Sequence, residues 1–115
     1  MNLVRVEGRT SGAPVTWNVS VLNNTLTDGT GNAPELLRVR ARDAGVTVCT
    51  NVAGNTFSGV STHIRLREDP GAAMTVQGPT TNTVTPVDMT TPNNGATAVI
   101  TGTPTFTNGA SCPTP

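Results

Sequence analysis

Arg38, Arg40 and Arg42 alternate with apolar residues, and Arg65 and Arg67 do the same some two dozen residues later. On extended strands, residues at spacing two share a face, so each set presents its guanidiniums together. A guanidinium is planar, always charged and carries five donors, which suits it to bidentate binding of carboxylate or phosphate. All seven basic residues are arginine. If the two segments are neighbours, five cations crowd one surface and need anions from this chain or from a partner. One reading is a solvated face laced with local ion pairs to residues such as Asp43, Glu68 and Asp69, each worth under about 1 kcal/mol. The other is a partner-binding face made of Arg38, Arg40, Arg42, Arg65 and Arg67. A net charge of zero and only three aromatic rings, Trp17, Phe57 and Phe106, weigh against nucleic acid as that partner.

The chain is poorly supplied for catalysis. It has seven acidic residues, a single histidine and no tyrosine. No serine stands in a nucleophile motif, and His63 alternates out of phase with the apolar Ile64, so it reads as a surface residue. A paired-carboxylate glycosidase needs an aromatic-lined cleft that three scattered rings do not furnish. The run Asp28-Gly29-Thr30-Gly31-Asn32 has the composition of a calcium loop but not its alternating ligands or terminal bidentate glutamate. No metal, cofactor or enzymatic activity is therefore expected. Cys49 and Cys112 form no CxxC pair and have 62 residues between them. They are either two unrelated thiols or a disulfide tying the tail to a central strand, which would contribute about 4 kcal/mol on a chain-entropy argument.

The elements that must position these groups read as strands. The chain has 115 residues, enough for one domain, expected over 1–107 with a Pro-rich tail at 108–115. Fourteen valines against six leucines, with 22 threonines, 12 glycines and 9 prolines, exclude coiled coils and helical bundles. Val15, Trp17, Val19 and Val21 share one face of the cleanest strand, with Trp17 as the expected core anchor. Segment 35–44 fits a strand, with Leu37, Val39 and Ala41 inward, or a helix capped by Asn32; Val39 and the β-rich flanks favour the strand. On that reading Asp43-Ala44-Gly45 turns a hairpin into Val46–Val52. Further strands are expected at Phe57–Arg67, Met74–Gln77, Asn82–Asp88 and Thr97–Thr107. Threonines at period two (81, 83, 85 and 101, 103, 105, 107) suit exposed strand faces. No internal repeat stands out, which argues against a solenoid. The expected fold is all-β: a compact antiparallel sandwich or jelly-roll-like barrel of about seven to eight short strands with long polar loops.

A thin valine core suggests stability borrowed from assembly. The leading expectation is a non-enzymatic structural subunit that decorates or cements a larger assembly, most concretely a bacteriophage capsid decoration protein. Its partners would be other protein subunits of a shell or filament, in a homo- or hetero-oligomer, within a virion or other extracellular assembly. No signal peptide or apolar span is visible, so no membrane association is expected. Ala41–Cys49 resembles the helix-to-strand stretch of minor pilins, which implies an extracellular filament subunit with Cys49 and Cys112 oxidised; the long apolar N-terminal helix of pilins is missing. A third class is a carbohydrate-binding β-sandwich, a reading that an exposed Trp17 would favour and a buried one would end.

Overall fold

Ten short strands wind through three faces, and every pairing between them is parallel. This computed structural model describes residues 4–77, 84–106 and 112. The first sheet stacks β1 (Val4–Gly8), β4 (Leu37–Ala41), β7 (Ile64–Glu68) and β9 (Ala98–Thr101) in that order. The second stacks β2 (Val15–Leu22), β5 (Val46–Ala53), β8 (Ala73–Val76) and β10 (Thr105–Phe106), and a third pairs β3 (Thr25–Thr27) with β6 (Thr56–Ser58). Each turn of the chain visits the first face, the second and the third before returning one strand spacing along the axis. The result is solenoid-like, a short parallel β-helix.

The expected antiparallel sandwich or jelly roll is therefore wrong, although the all-β class stands. The error has a physical source. Alternation of apolar and polar residues reports that one strand face is buried, but not the direction of the neighbouring strand. Asp43-Ala44-Gly45 looked like a hairpin turn. It is a corner that carries the chain from the first sheet to the second, with Gly45 at φ 85°. The repeat escaped notice because its length varies: 33 residues from Val4 to Leu37, 27 from Leu37 to Ile64 and 34 from Ile64 to Ala98.

Stacked coils bury columns of side chains. Leu37, Val39, Val46, Val48, Ile64, Leu66 and Met74 are at most 1% exposed and form the core. The segment 35–44 is strand over Leu37–Ala41. Gly8 ends β1 beneath this core; a Cβ there would come within 2.6 Å of Val48 Cγ2 and 2.9 Å of Val46 Cγ1. In the third coil a helix replaces the third-face strand. Helix α1 (Pro86–Thr90) follows Thr85, whose N–H and hydroxyl both donate to the Asp88 carboxylate at 2.7 Å, and a 3-10 turn covers Thr91–Asn93. This overturns the strand expected at Asn82–Asp88, insofar as its residues are described. Proline at the first helical position and an acid in the first turn were the overlooked helix signals. The expected strand at Thr97–Thr107 is two strands in different sheets, so Thr101 and Thr105 do not share a face; Thr81, Thr83 and Thr107 lie outside the described residues.

A column of asparagines closes the corner between the second and third faces. Asn24 N–H donates to Asn55 Oδ1 at 2.9 Å, while Asn55 Nδ2 donates to Asn93 Oδ1 at 3.0 Å and to Val21 O at 2.8 Å. Asn93 Nδ2 donates to Val52 O and Met89 O. Asn55 and Asn93 are fully buried, and their amides satisfy backbone groups that the corner takes out of the strand ladders. Cys49, on the outer side of β5, is bonded to Cys112 with Cα atoms 5.6 Å apart. Cys112 N–H also donates to Gln77 Oε1, so this point of the tail is fixed against the second sheet.

Candidate arginine interface

The parallel register of the first sheet aligns Arg5 with Arg38 and Arg38 with Arg65, and aligns Glu7 with Arg40 and Arg40 with Arg67. Their apolar neighbours Val6, Val39 and Leu66 point into the core, so these charged side chains all stand on the outer face. The two arginine segments read from sequence are thus adjacent strands of one sheet, with Arg42 just beyond the end of β4. Sequence reasoning missed Arg5, which joins the same face; Arg9 lies past the end of β1 and pairs with Asp43 at the corner. Only the parallel register could reveal Arg5, since it lies in no Arg-rich segment.

Stacked guanidiniums repel, and three carboxylates stand between them. Arg40 contacts both Asp69 and Glu7; Arg67 reaches the other oxygen of Asp69 at 2.6 Å. Glu7 also accepts from Arg5, and lies 3.4 Å from Arg42. Glu35 is fully buried and lies between Arg38 at 2.7 Å and Arg65 at 3.4 Å. The Arg38 contact is an ion pair without a directed hydrogen bond, because neither Arg38 Nε nor Glu35 Oε1 has a well-aligned partner. Arg9 lies 3.6 Å from Asp43. Of the anions expected from sequence, Asp69 serves this face and Asp43 pairs with Arg9 at the corner. Glu68 instead accepts the Met74 N–H at 2.7 Å, and Glu7 and Glu35 were missed.

These contacts tune the acids. The Arg5 hydrogen bond holds the Glu7 carboxyl below its usual 4.5, against desolvation that pushes it up, with Arg42 and Arg40 assisting. Asp69 is likewise held below 3.8, chiefly by the hydrogen bond from Arg40. The Arg40 guanidinium is raised in turn by Asp69 and Glu7.

Six arginines meet Glu7, Glu35 and Asp69 on this side, leaving an excess of three positive charges on a chain whose net charge is zero. The balancing acids Asp28, Glu68 and Asp88 are engaged elsewhere by backbone and hydroxyl groups. Asp28 accepts from the Thr30 hydroxyl and the Thr30 and Ala33 amides, which bring its carboxyl down to about 2. Those bonds make it the anchor of a loop.

Three other expectations meet the structure here. Trp17 is not the core anchor: it is 43% exposed, with Nε1 donating to Arg9 O at 3.1 Å. It belongs to the first coil, where no preceding strand covers it. His63 is half-buried, stacks on Phe57 with ring centroids 5.8 Å apart, and accepts the Thr97 N–H at Nδ1. Among the described residues no group of three or more His, Cys, Asp or Glu side chains is placed to hold a metal ion. No helix among them is long and apolar enough to cross a membrane.

No protein family, curated protein or solved structure matched the chain.

Proposed function

We propose that this chain is a non-enzymatic structural module that attaches to a larger assembly through the arginine face, binding an acidic surface of a shell or other scaffold protein. One observation carries the reading: six of the seven arginines gather on one side of a neutral chain, in excess over the acids among them. A surface with that charge excess steers toward anionic partners and fixes orientation on them. Guanidiniums already held by carboxylates lose little freedom on docking, so their donors are presented in fixed positions. Arg42 and Arg67, with side chains 36% and 40% exposed, are the groups with most reach, alongside Arg5. A capsid decoration protein is the most concrete form of this role, which would place the chain in a virion or similar extracellular particle.

Sedimentation of natively isolated protein, with electron microscopy of the pellet, tests the reading. Co-sedimentation with a closed shell is expected, with occupancy reduced when Arg42→Glu and Arg67→Glu are combined. Full occupancy in that variant removes the arginine face from the role. A fibre in the pellet turns the reading to a filament subunit. Protein that stays in the supernatant overturns both.

Trp17 gives a second reading some support, because an exposed indole can grip a flat sugar face. It is a lone ring, since Phe57 is engaged by His63. Trp17 fluorescence titrated with oligosaccharides checks it, and an unchanged spectrum ends it.

A further inference from the structure

The two ends of the solenoid differ. At the far end the interior is filled by Val84 and Met89, which are 3% and 1% exposed and belong to the core. At the near end no strand among the described residues covers the first coil. Val4, Val6, Val15 and Val21 are only partly buried, whereas their register partners Leu37, Val39, Val46 and Val52 are at most 3% exposed. Val4, Val6, Val19, Val21 and Leu26 line a hollow of about 400 Å³ at this end. The strands β1, β2 and β3 around it are edge strands, of five, eight and three residues. Edges of this length with an apolar floor invite further pairing.

The backbone of β1 says how. Val4 N–H donates to Leu36 O, and Gly8 O accepts from Arg42 N–H. Even-numbered residues therefore bond toward β4, and Arg5 and Glu7 turn their N–H and C=O groups to the open rim. An antiparallel copy of β1 centred on Val6 sets Arg5 opposite the partner's Glu7, and Glu7 opposite the partner's Arg5. Both are then hydrogen-bonded pairs that use the free groups of Arg5 and Glu7 on β1. The same register places opposite charges face to face, while Val6 meets its own copy. Two independent features of one strand, backbone direction and charge order, thus select the same centre.

The geometry points to a two-fold dimer, in which a second copy of this chain docks on the open first coil through antiparallel β1–β1 pairing across Val6. The dyad runs perpendicular to the first sheet, so it keeps outer face with outer face and joins the two arginine surfaces on one side. Head-to-tail stacking fits less well. The far rim sets Arg5 and Glu7 against the uncharged Val99 and Thr101, so the charge order of β1 meets no complement there.

Sedimentation equilibrium of the full chain across the micromolar range tests this, with a mass of twice 11.8 kDa expected. Arg5→Glu turns both symmetric attractions into repulsions and should raise the dimer dissociation constant about tenfold, with an unchanged circular dichroism spectrum. Val6 on the dyad forms a non-hydrogen-bonded pair with Cα atoms about 4.5 Å apart, within disulfide range. Val6→Cys in a glutathione buffer should therefore give a covalent dimer. A monomer throughout, or a mass that grows beyond two chains, overturns the proposal. So does a dimer that neither Arg5→Glu weakens nor Val6→Cys links.

Discussion

Arg40 binds Asp69 with Nε 2.9 Å from Oδ2, linking β4 to the residue just past the end of β7, 29 residues on in sequence. Arg40 is only 15% exposed and also reaches Glu7, so an acid from β1 and one from the end of β7 flank the β4 arginine in one chain of ion pairs. Such a network depends on pH with a definite sign. Glu7 and Asp69 titrate below their ordinary 4.5 and 3.8, so their contribution is complete above those values and disappears as pH falls through the lowered ones. Urea midpoints should be flat for these groups near neutrality and fall below about pH 4.5. Arg40→Ala should cost about 1–2 kcal/mol at pH 7 and flatten that acid limb. An unaltered limb would mean that other carboxylates set the acid stability.

Asn55 is the central rung of the asparagine column, and its amide works in both directions. Its Nδ2 donates to Val21 O and Asn93 Oδ1, while its Oδ1 accepts from Asn24 N. Asn55→Ala leaves these buried groups without partners and should cost roughly 3 kcal/mol. Asn55→Asp keeps the acceptor but points a carboxylate at Asn93 Oδ1, so it should be at least as damaging. Chemical denaturation of both variants checks the order. An aspartate variant as stable as wild type would show that the ladder does not depend on amide donors.

Much of the inward set was legible in the sequence. Leu37, Val39 and Ala41 point inward as their alternation predicts, because burial of one strand face imposes period two whatever the strand's partner. The direction of the partner was not legible. A parallel and an antiparallel neighbour make the same demand on Val39. The coil-to-coil register, which brings Arg5 over Arg38 and Arg65, lies hidden in unequal loops. Trp17 shows the same limit: its alternation is that of an inward residue, yet it stands in the first coil, where nothing is stacked on one side. Where a strand is expected at Asn82–Asp88, only the Thr85–Asp88 capping pattern with Pro86 distinguishes the helix.

The Cys49–Cys112 bond closes a loop with a sequence separation of 63. Restricting so long a loop in the unfolded chain contributes about 4 kcal/mol on the entropy argument. Reduction, or Cys112→Ser, should therefore lower the denaturation midpoint substantially. It should leave the solenoid intact, because the coils are held by ladders and core columns that do not include the bond. Far-ultraviolet circular dichroism with and without reductant separates these effects. Loss of the β spectrum on reduction would show that the coils cannot persist without the tethered tail. An intact-mass measurement under non-reducing conditions should show the loss of two hydrogens.

Thr50 breaks the pattern of the core. It points inward from β5, aligned with Val19 on one side and Val76 on the other, and is fully buried. Its Oγ1 has no hydrogen-bond partner among the described residues. A hydroxyl stripped of water without a replacement bond is a net cost of about 1–3 kcal/mol, whereas a methyl of the same shape would simply pack. Thr50→Val should therefore stabilise the fold by about 1 kcal/mol, since the β-branched outline is kept and the strand preference is unchanged. The measurement is a denaturant midpoint at constant m-value. A loss of stability instead would mean that the hydroxyl is satisfied in solution by a bound water, and that the core at Thr50 has room to hold one.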